Sequence, residues 1–183
     1  KSKFTLLLLC LAAALQAEIT VIKNFTLIDG TGRTPVLDSA MIVDNGRIAW
    51  VGPAARLSAP AGAEVIDLRG KYVMPGMISL HVHLAITEGL TQDAKFFTAE
   101  NIEKNLKTYA SYGVTSVLSM GTDKDLIFAL RNRQRATGRP RETRIFTAGQ
   151  GFVFKGGYGG VPGVNQGVAS VPEVEPAVAA QAA

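Results

Sequence analysis

Met74-Pro-Gly-Met-Ile-Ser-Leu-His-Val-His-Leu84 holds both histidines of a 183-residue chain. The segment from Met77 to Leu84 reads as a β-strand, on which side chains alternate and residues at i and i+2 share a face. Plain alternation puts Ser79, His81 and His83 on one face, and Ile78, Leu80, Val82 and Leu84 on the other. The apolar set suits burial beneath helices. The other set grows more polar toward the carboxyl end, where parallel α/β folds build their active sites.

Two imidazoles so placed stand about 7 Å apart at Cα and can converge on one metal ion at about 2.0–2.1 Å. The alternative is structural, with both rings hydrogen-bonding as polar core residues. Placement favours ligation. Two histidines scattered at random over this length fall two apart only about once in ninety draws. Unpartnered imidazoles inside a fold would also cost several kcal/mol of desolvation.

Downstream of this strand the pattern alternates. Thr98 is a candidate N-cap for a helix carrying Ile102, Leu106 and Tyr109 at i, i+4 and i+7 and stopped by Gly113. Val114–Met120 reads as a second strand. Thr122-Asp-Lys-Asp125 resembles a capping box opening a further helix with Leu126, Ala129 and Leu130 as its buried stripe and Gly138-Arg-Pro140 as its end. Arg144–Ala148 is a third strand. Strand, helix, strand, helix, strand is the signature of βαβ units on a parallel sheet, an α/β fold. Eight glycines between Gly149 and Gly167 predict a long loop, and Val171 to Ala183 reads as the start of another helix after Pro172.

Upstream, Glu18 to about Arg69 reads as short strands and turns. Ile19–Asn24 and Phe25–Ile28 are β-rich, and Asp29-Gly-Thr-Gly32 is a turn cluster. Two apolar runs flank Asn45-Gly46, a dipeptide suited to a type I′ hairpin. Val65–Gly70 adds a strand and turn. Asn24-Phe-Thr26 formally matches a glycosylation acceptor, which matters only in a eukaryotic secretory host.

Lys1, Lys3 and the apolar run Phe4–Leu15, closing on Ala17, have the layout of a secretory signal peptide, too short for a comfortable membrane span. Export to a periplasmic or extracellular location is therefore expected, with no membrane association after cleavage. Cleavage near Ala17-Glu18 would remove the single cysteine, Cys10, and with it any disulfide or thiolate chemistry. The formal charge of +4 would fall to +2, with 17 basic residues against 15 acidic. So slight an excess gives no case for a nucleic-acid partner. The densest basic run, Arg131-Asn-Arg-Gln-Arg135 with Arg139, Arg141 and Arg144, falls where a helix ends, and cations there complement its dipole.

These segments together carry a resemblance. Ile28-Asp-Gly-Thr-Gly32, Asp44-Asn-Gly-Arg-Ile48 with Val51-Gly52, Val65 through Gly76 running into His81-Val-His83, and Gly113-Val-Thr-Ser-Val117 resemble the metal-dependent amidohydrolase superfamily, in its imidazolonepropionase-like and prolidase-like branch. The resemblance implies a small β-sandwich beside a (β/α)8 TIM barrel. Residues 1–17 would be the signal peptide, 18–70 the N-terminal part of the sandwich, and 71–183 the first three or so strands of the barrel. It further implies His81 and His83 as the first two ligands of a divalent, zinc-type centre of one or two ions. A lysine, two more histidines and an aspartate would follow from later strands, whereas no histidine follows His83 here. A complete barrel takes about 250 residues, so the chain reads as an N-terminal portion, itself inactive, of a hydrolase acting on the C–N bond of a small-molecule amide, cyclic amide or dipeptide. Two departures stand out. Gly156-Gly-Tyr-Gly159 carries Tyr158 where related chains commonly have histidine, and Ser119-Met120 replaces an Arg-Asp pair often seen after the second strand. Both leave open a non-catalytic secreted binding or structural protein on the same scaffold.

Overall fold

A computed structural model of the chain describes residues 19–138 and 140–182. The segment read as a signal peptide, and Arg139 of the basic run, lie outside the described residues. The chain divides into two compact units, one through Pro75 and one from Gly76.

The first unit is a five-stranded sheet. Strands β1 (Ile19–Leu27), β2 (Val36–Asp44) and β3 (Arg47–Pro53) pair antiparallel in turn, and β4 (Glu64–Asp67) and β5 (Tyr72–Val73) pair parallel with the other edge of β1. The two β-rich runs expected at 19–24 and 25–28 are thus one strand, kinked at Asn24, where φ is 63° and the register slips. Asn24 turns its side chain to Asp67, Nδ2 to Oδ2 at 2.7 Å, which ties the kink to the end of β4. The β2–β3 hairpin turns at Asn45-Gly46, both with positive φ, as a type I′ turn requires. Val21 and Phe25 of β1 and Ala40 of β2 are buried. Gly52 is required because a Cβ there would press to 2.8 Å from the indole of Trp50.

The second unit builds the site. Its parallel sheet has the order β10-β9-β6, with β6 at Met77–Val82, β9 at Val114–Gly121 and β10 at Arg144–Gln150. A small hairpin, β7 (Thr87–Glu88) with β8 (Thr91–Gln92), and helix α1 (Ala99–Ser111) connect β6 to β9, and α2 (Asp125–Thr137) connects β9 to β10. Thr98 caps α1, its Oγ1 accepting from the Asn101 amide at 3.2 Å, and Gly113 leaves the helix at φ 78°. Both helices pack on one face of the sheet, where Ile102, Leu106, Val117 and Ile127 are fully buried. Each such side chain contributes about 1.5–3 kcal/mol relative to exposure. Gly76 has a reason in packing: a Cβ there would overlap the Thr115 side chain.

Four expectations need correction. The capping box is absent, since α2 is capped at Lys124 without a side-chain bond, and Asp123 instead points inward. Within α2 the buried apolar positions are Ile127 and Leu130, while Ala129 is exposed, because the helix starts later than the Thr122 reading required. The glycine-rich stretch is not a plain loop: β11 (Phe152–Phe154) pairs parallel with β12 (Gln166–Val168), and Asn165 and Gln150 lace the segment to Gly121 and Val164. Helix α3 (Val174–Ala182) follows a 3-10 turn at Val171–Glu173.

The fourth correction concerns β6. Ser79 pairs with Val117 and Val82 with Ser119, so three steps on β6 match two on β9. Leu80 and His81 together stand opposite one residue, a β-bulge. Ser79 therefore sides with the buried Val117 rather than with the histidines, and Ile78 and Leu80, expected beneath the helices, are 63% and 69% exposed. Only Val82 and Leu84 of the apolar set reach the core. Among the described residues, no helix is long and apolar enough to cross a membrane.

Candidate metal-binding site

His81 and His83 sit on the exposed side of β6 and just beyond its end, with ring centroids 5.1 Å apart and ring planes at 82°. His83 Nδ1 lies 2.7 Å from the carbonyl oxygen of Met120. A carbonyl only accepts, so Nδ1 carries the hydrogen and the neutral ring keeps its Nε2 lone pair free. That is the arrangement in which a histidine binds a metal while its second nitrogen is held by an outer acceptor. Two imidazoles fit part of the donor set of a zinc-type ion. Among the described residues no group of three or more His, Cys, Asp or Glu side chains comes together.

The backbone that follows the histidines is held unusually firmly. Ala85 adopts φ 68°, a left-handed conformation uncommon without a glycine, and is fully buried. Such a residue persists where its surroundings over-determine it. Here α1 supplies the constraint: Asn105 Oδ1 accepts from the Ala85 amide at 3.1 Å, and Asn101 Nδ2 donates to the carbonyls of Ala85, Phe96 and Thr87 at 3.0, 3.2 and 3.3 Å. One residue earlier, the Leu84 amide donates to Ser119 Oγ at 3.3 Å.

Ser119 leads to Asp123, which is wholly buried. Ser119 Oγ donates to Asp123 Oδ1 at 2.6 Å and Thr147 Oγ1 donates to Oδ2 at 2.5 Å, while Thr147 Oγ1 accepts from the Gly149 amide at 2.9 Å. Burial pushes the Asp123 carboxyl above its ordinary pKa, against the two hydroxyl bonds, which pull it down. An open groove of about 590 Å³ runs from His83 along α1, lined by Asn105, Tyr109 and Tyr112 among others. Tyr158, one of the two departures in the sequence, is fully exposed.

Reading the sequence alone missed Asn101, Asn105, Ser119, Asp123 and Thr147. The two asparagines carried a usable signal, since they stand at i and i+4 on a helix, each just before a buried apolar residue, Ile102 or Leu106.

No protein-family model matches the chain. An imidazolonepropionase from Cereibacter sphaeroides is 34% identical over 137 residues, 73% of this chain and 32% of that protein. A dihydroorotase from Trichlorobacter lovleyi is 36% identical over 108 residues, 58% of this chain and 23% of that one. Among solved structures, a prolidase in complex with N-methylphosphonate-L-proline superposes with a TM-score of 0.69 at 25% identity, covering 90% of this chain and 44% of its own. The chain belongs to the amidohydrolase superfamily. Its relatives hydrolyse C–N bonds, and the superfamily uses divalent metals. The amidohydrolase chain spans 16% to 32% of the length of the first curated relatives it matches.

Proposed function

We propose that the whole protein is a metal-dependent hydrolase of C–N bonds in a small molecule, with His81 and His83 as two ligands of its metal centre. The observation that carries this reading is the pair itself: the chain's two imidazoles stand side by side, and His83 is anchored through Nδ1 with Nε2 left for a ligand. The parallel sheet is then the opening of a (β/α)8 barrel, and the antiparallel unit is part of an accompanying sandwich. When bound, a divalent ion supplies Lewis acidity, which lowers the pKa of a water and polarises a carbonyl. His81 and His83 hold that position at the mouth of the strands, and Met120 fixes the tautomer of one of them. Relatives named imidazolonepropionase, dihydroorotase and prolidase support a cyclic amide, an imidazolone ring or a dipeptide as substrate. Residues 1–183 alone are proposed to be inactive, since two ligands leave the donor set incomplete. The basic head and apolar run at the N-terminus support export.

Metal content and turnover of the whole protein test the reading. His81→Ala/His83→Ala should lose bound metal and lower turnover of a cyclic-amide, imidazolone and dipeptide panel about 100-fold or more. Unchanged metal content and turnover in that variant would remove the assignment.

A further inference from the structure

We propose that Asp123 is a positioning residue that sets the direction of the Met120 carbonyl and thereby holds the ring of His83. The proposal rests on the ligand reading of His83 and concerns how that ligand is aimed.

Geometry carries it. Asp123 reaches back four residues to Ser119, and this side-chain link closes over Met120, Gly121 and Thr122. Met120, whose carbonyl holds His83 Nδ1, lies inside the closed segment. The same Ser119 oxygen receives the Leu84 amide, so one hydroxyl fixes both the acceptor of the His83 ring and the backbone that follows His83. The second carboxylate oxygen is taken by Thr147 from β10, which pins the segment to the neighbouring strand. At Gly121 the chain is held again, its carbonyl accepting from the Gly151 amide at 2.7 Å and from Asn165 Nδ2 at 2.6 Å.

A carboxylate suits this place better than an amide. Ser119 and Thr147 both donate to it, and each hydroxyl oxygen also receives a backbone amide. An ionised carboxylate accepts on both oxygens, whereas an asparagine accepts on one and donates from the other. A helix cap would explain none of this, since the Asp123 side chain makes no bond to the first turn of α2.

The chain has two histidines, so ring-nitrogen NMR of residues 1–183 resolves both directly. Spectra of the metal-free chain, recorded above the imidazole pKa, should show His83 as the single tautomer with hydrogen on Nδ1. Asp123→Asn and Thr147→Val should spread His83 over both tautomers and leave His81 unchanged. Thr147→Ser, which restores the hydroxyl, should restore the wild-type pattern. Zinc titration should need about 10-fold more metal to shift the His83 signal in the two disruptive variants. If Asp123→Asn fails to fold, the Thr147 pair decides. An unchanged His83 tautomer and zinc midpoint in folded Thr147→Val, or no rescue by Thr147→Ser, overturns the proposal. Zinc that leaves both wild-type rings unmoved defeats the ligand reading instead, while the tautomer pattern still judges the role of Asp123.

Discussion

Asp29 and Asp123 each gather short hydrogen bonds beyond the end of a strand, with opposite electrostatic results. In the first unit, Asp29 accepts from the Thr31 hydroxyl at 2.6 Å and the Thr31 amide at 2.9 Å, and pairs with Arg33. These partners, led by the Thr31 hydroxyl, hold its pKa down at about 2. In the second unit Asp123 also accepts two hydroxyls, yet its pKa is raised. The difference is burial: desolvation outweighs hydrogen bonds of similar length when no water reaches the charge. The hairpin unit therefore uses its aspartate as turn chemistry, and the strand–helix unit uses its own as an internal strut.

The contrast can be broken at three points. The largest effect belongs to the core that surrounds the strut. Ile127→Ala, at a fully buried position, should destabilise the second unit by about 2–5 kcal/mol. Residue-resolved hydrogen exchange should show the loss in β9, β10 and α2. Asp123→Ala comes next, at about 1–3 kcal/mol, because two buried hydroxyls lose their acceptor. Its exchange signature should centre on β9 and β10, and a loss no larger than that of an exposed substitution would show that the strut bears no strain. Thr31→Ala is the smallest. It should raise the Asp29 pKa toward its ordinary value in a carboxyl NMR titration, with a small loss of stability near neutral pH and none once the pH is below about 2. The sign follows from linkage. A depressed carboxyl contributes stability above its unfolded pKa of 3.8, and that contribution fades as pH falls through about 2. The variant should flatten this acid-side dependence.

Much of the fold was legible because local rules governed it. Asn45-Gly46, Thr98, Gly113 and Gly138 behave as their chemistry requires. The histidine pair was legible for the same reason. What escaped was set by contacts distant in sequence. Asp123 passed as an interior position of the Thr122–Asp125 capping box, yet Ser119 and Thr147 hold its carboxylate inward. Asn101 and Asn105 looked like ordinary helix polarity, although they hold a backbone some sixteen to twenty residues earlier. The misplacement of Ser79 had a different cause, since alternation assumes equal spacing on paired strands, and β6 does not keep it.

That uneven spacing bears on how the site tolerates change in chain length. Leu80 and His81 share one place opposite β9, so between Ser79 and Val82 the strand carries one residue more than its partner. The Met77–Ile78 step is the reverse, where β9 carries the extra one. Excising Leu80 would restore simple alternation with Ser79 and Val82 still inward and both rings still outward. In an evenly paired strand the same deletion would turn everything beyond it to the wrong side. Length drift upstream of the histidines can thus be absorbed at residue 80 without re-aiming them.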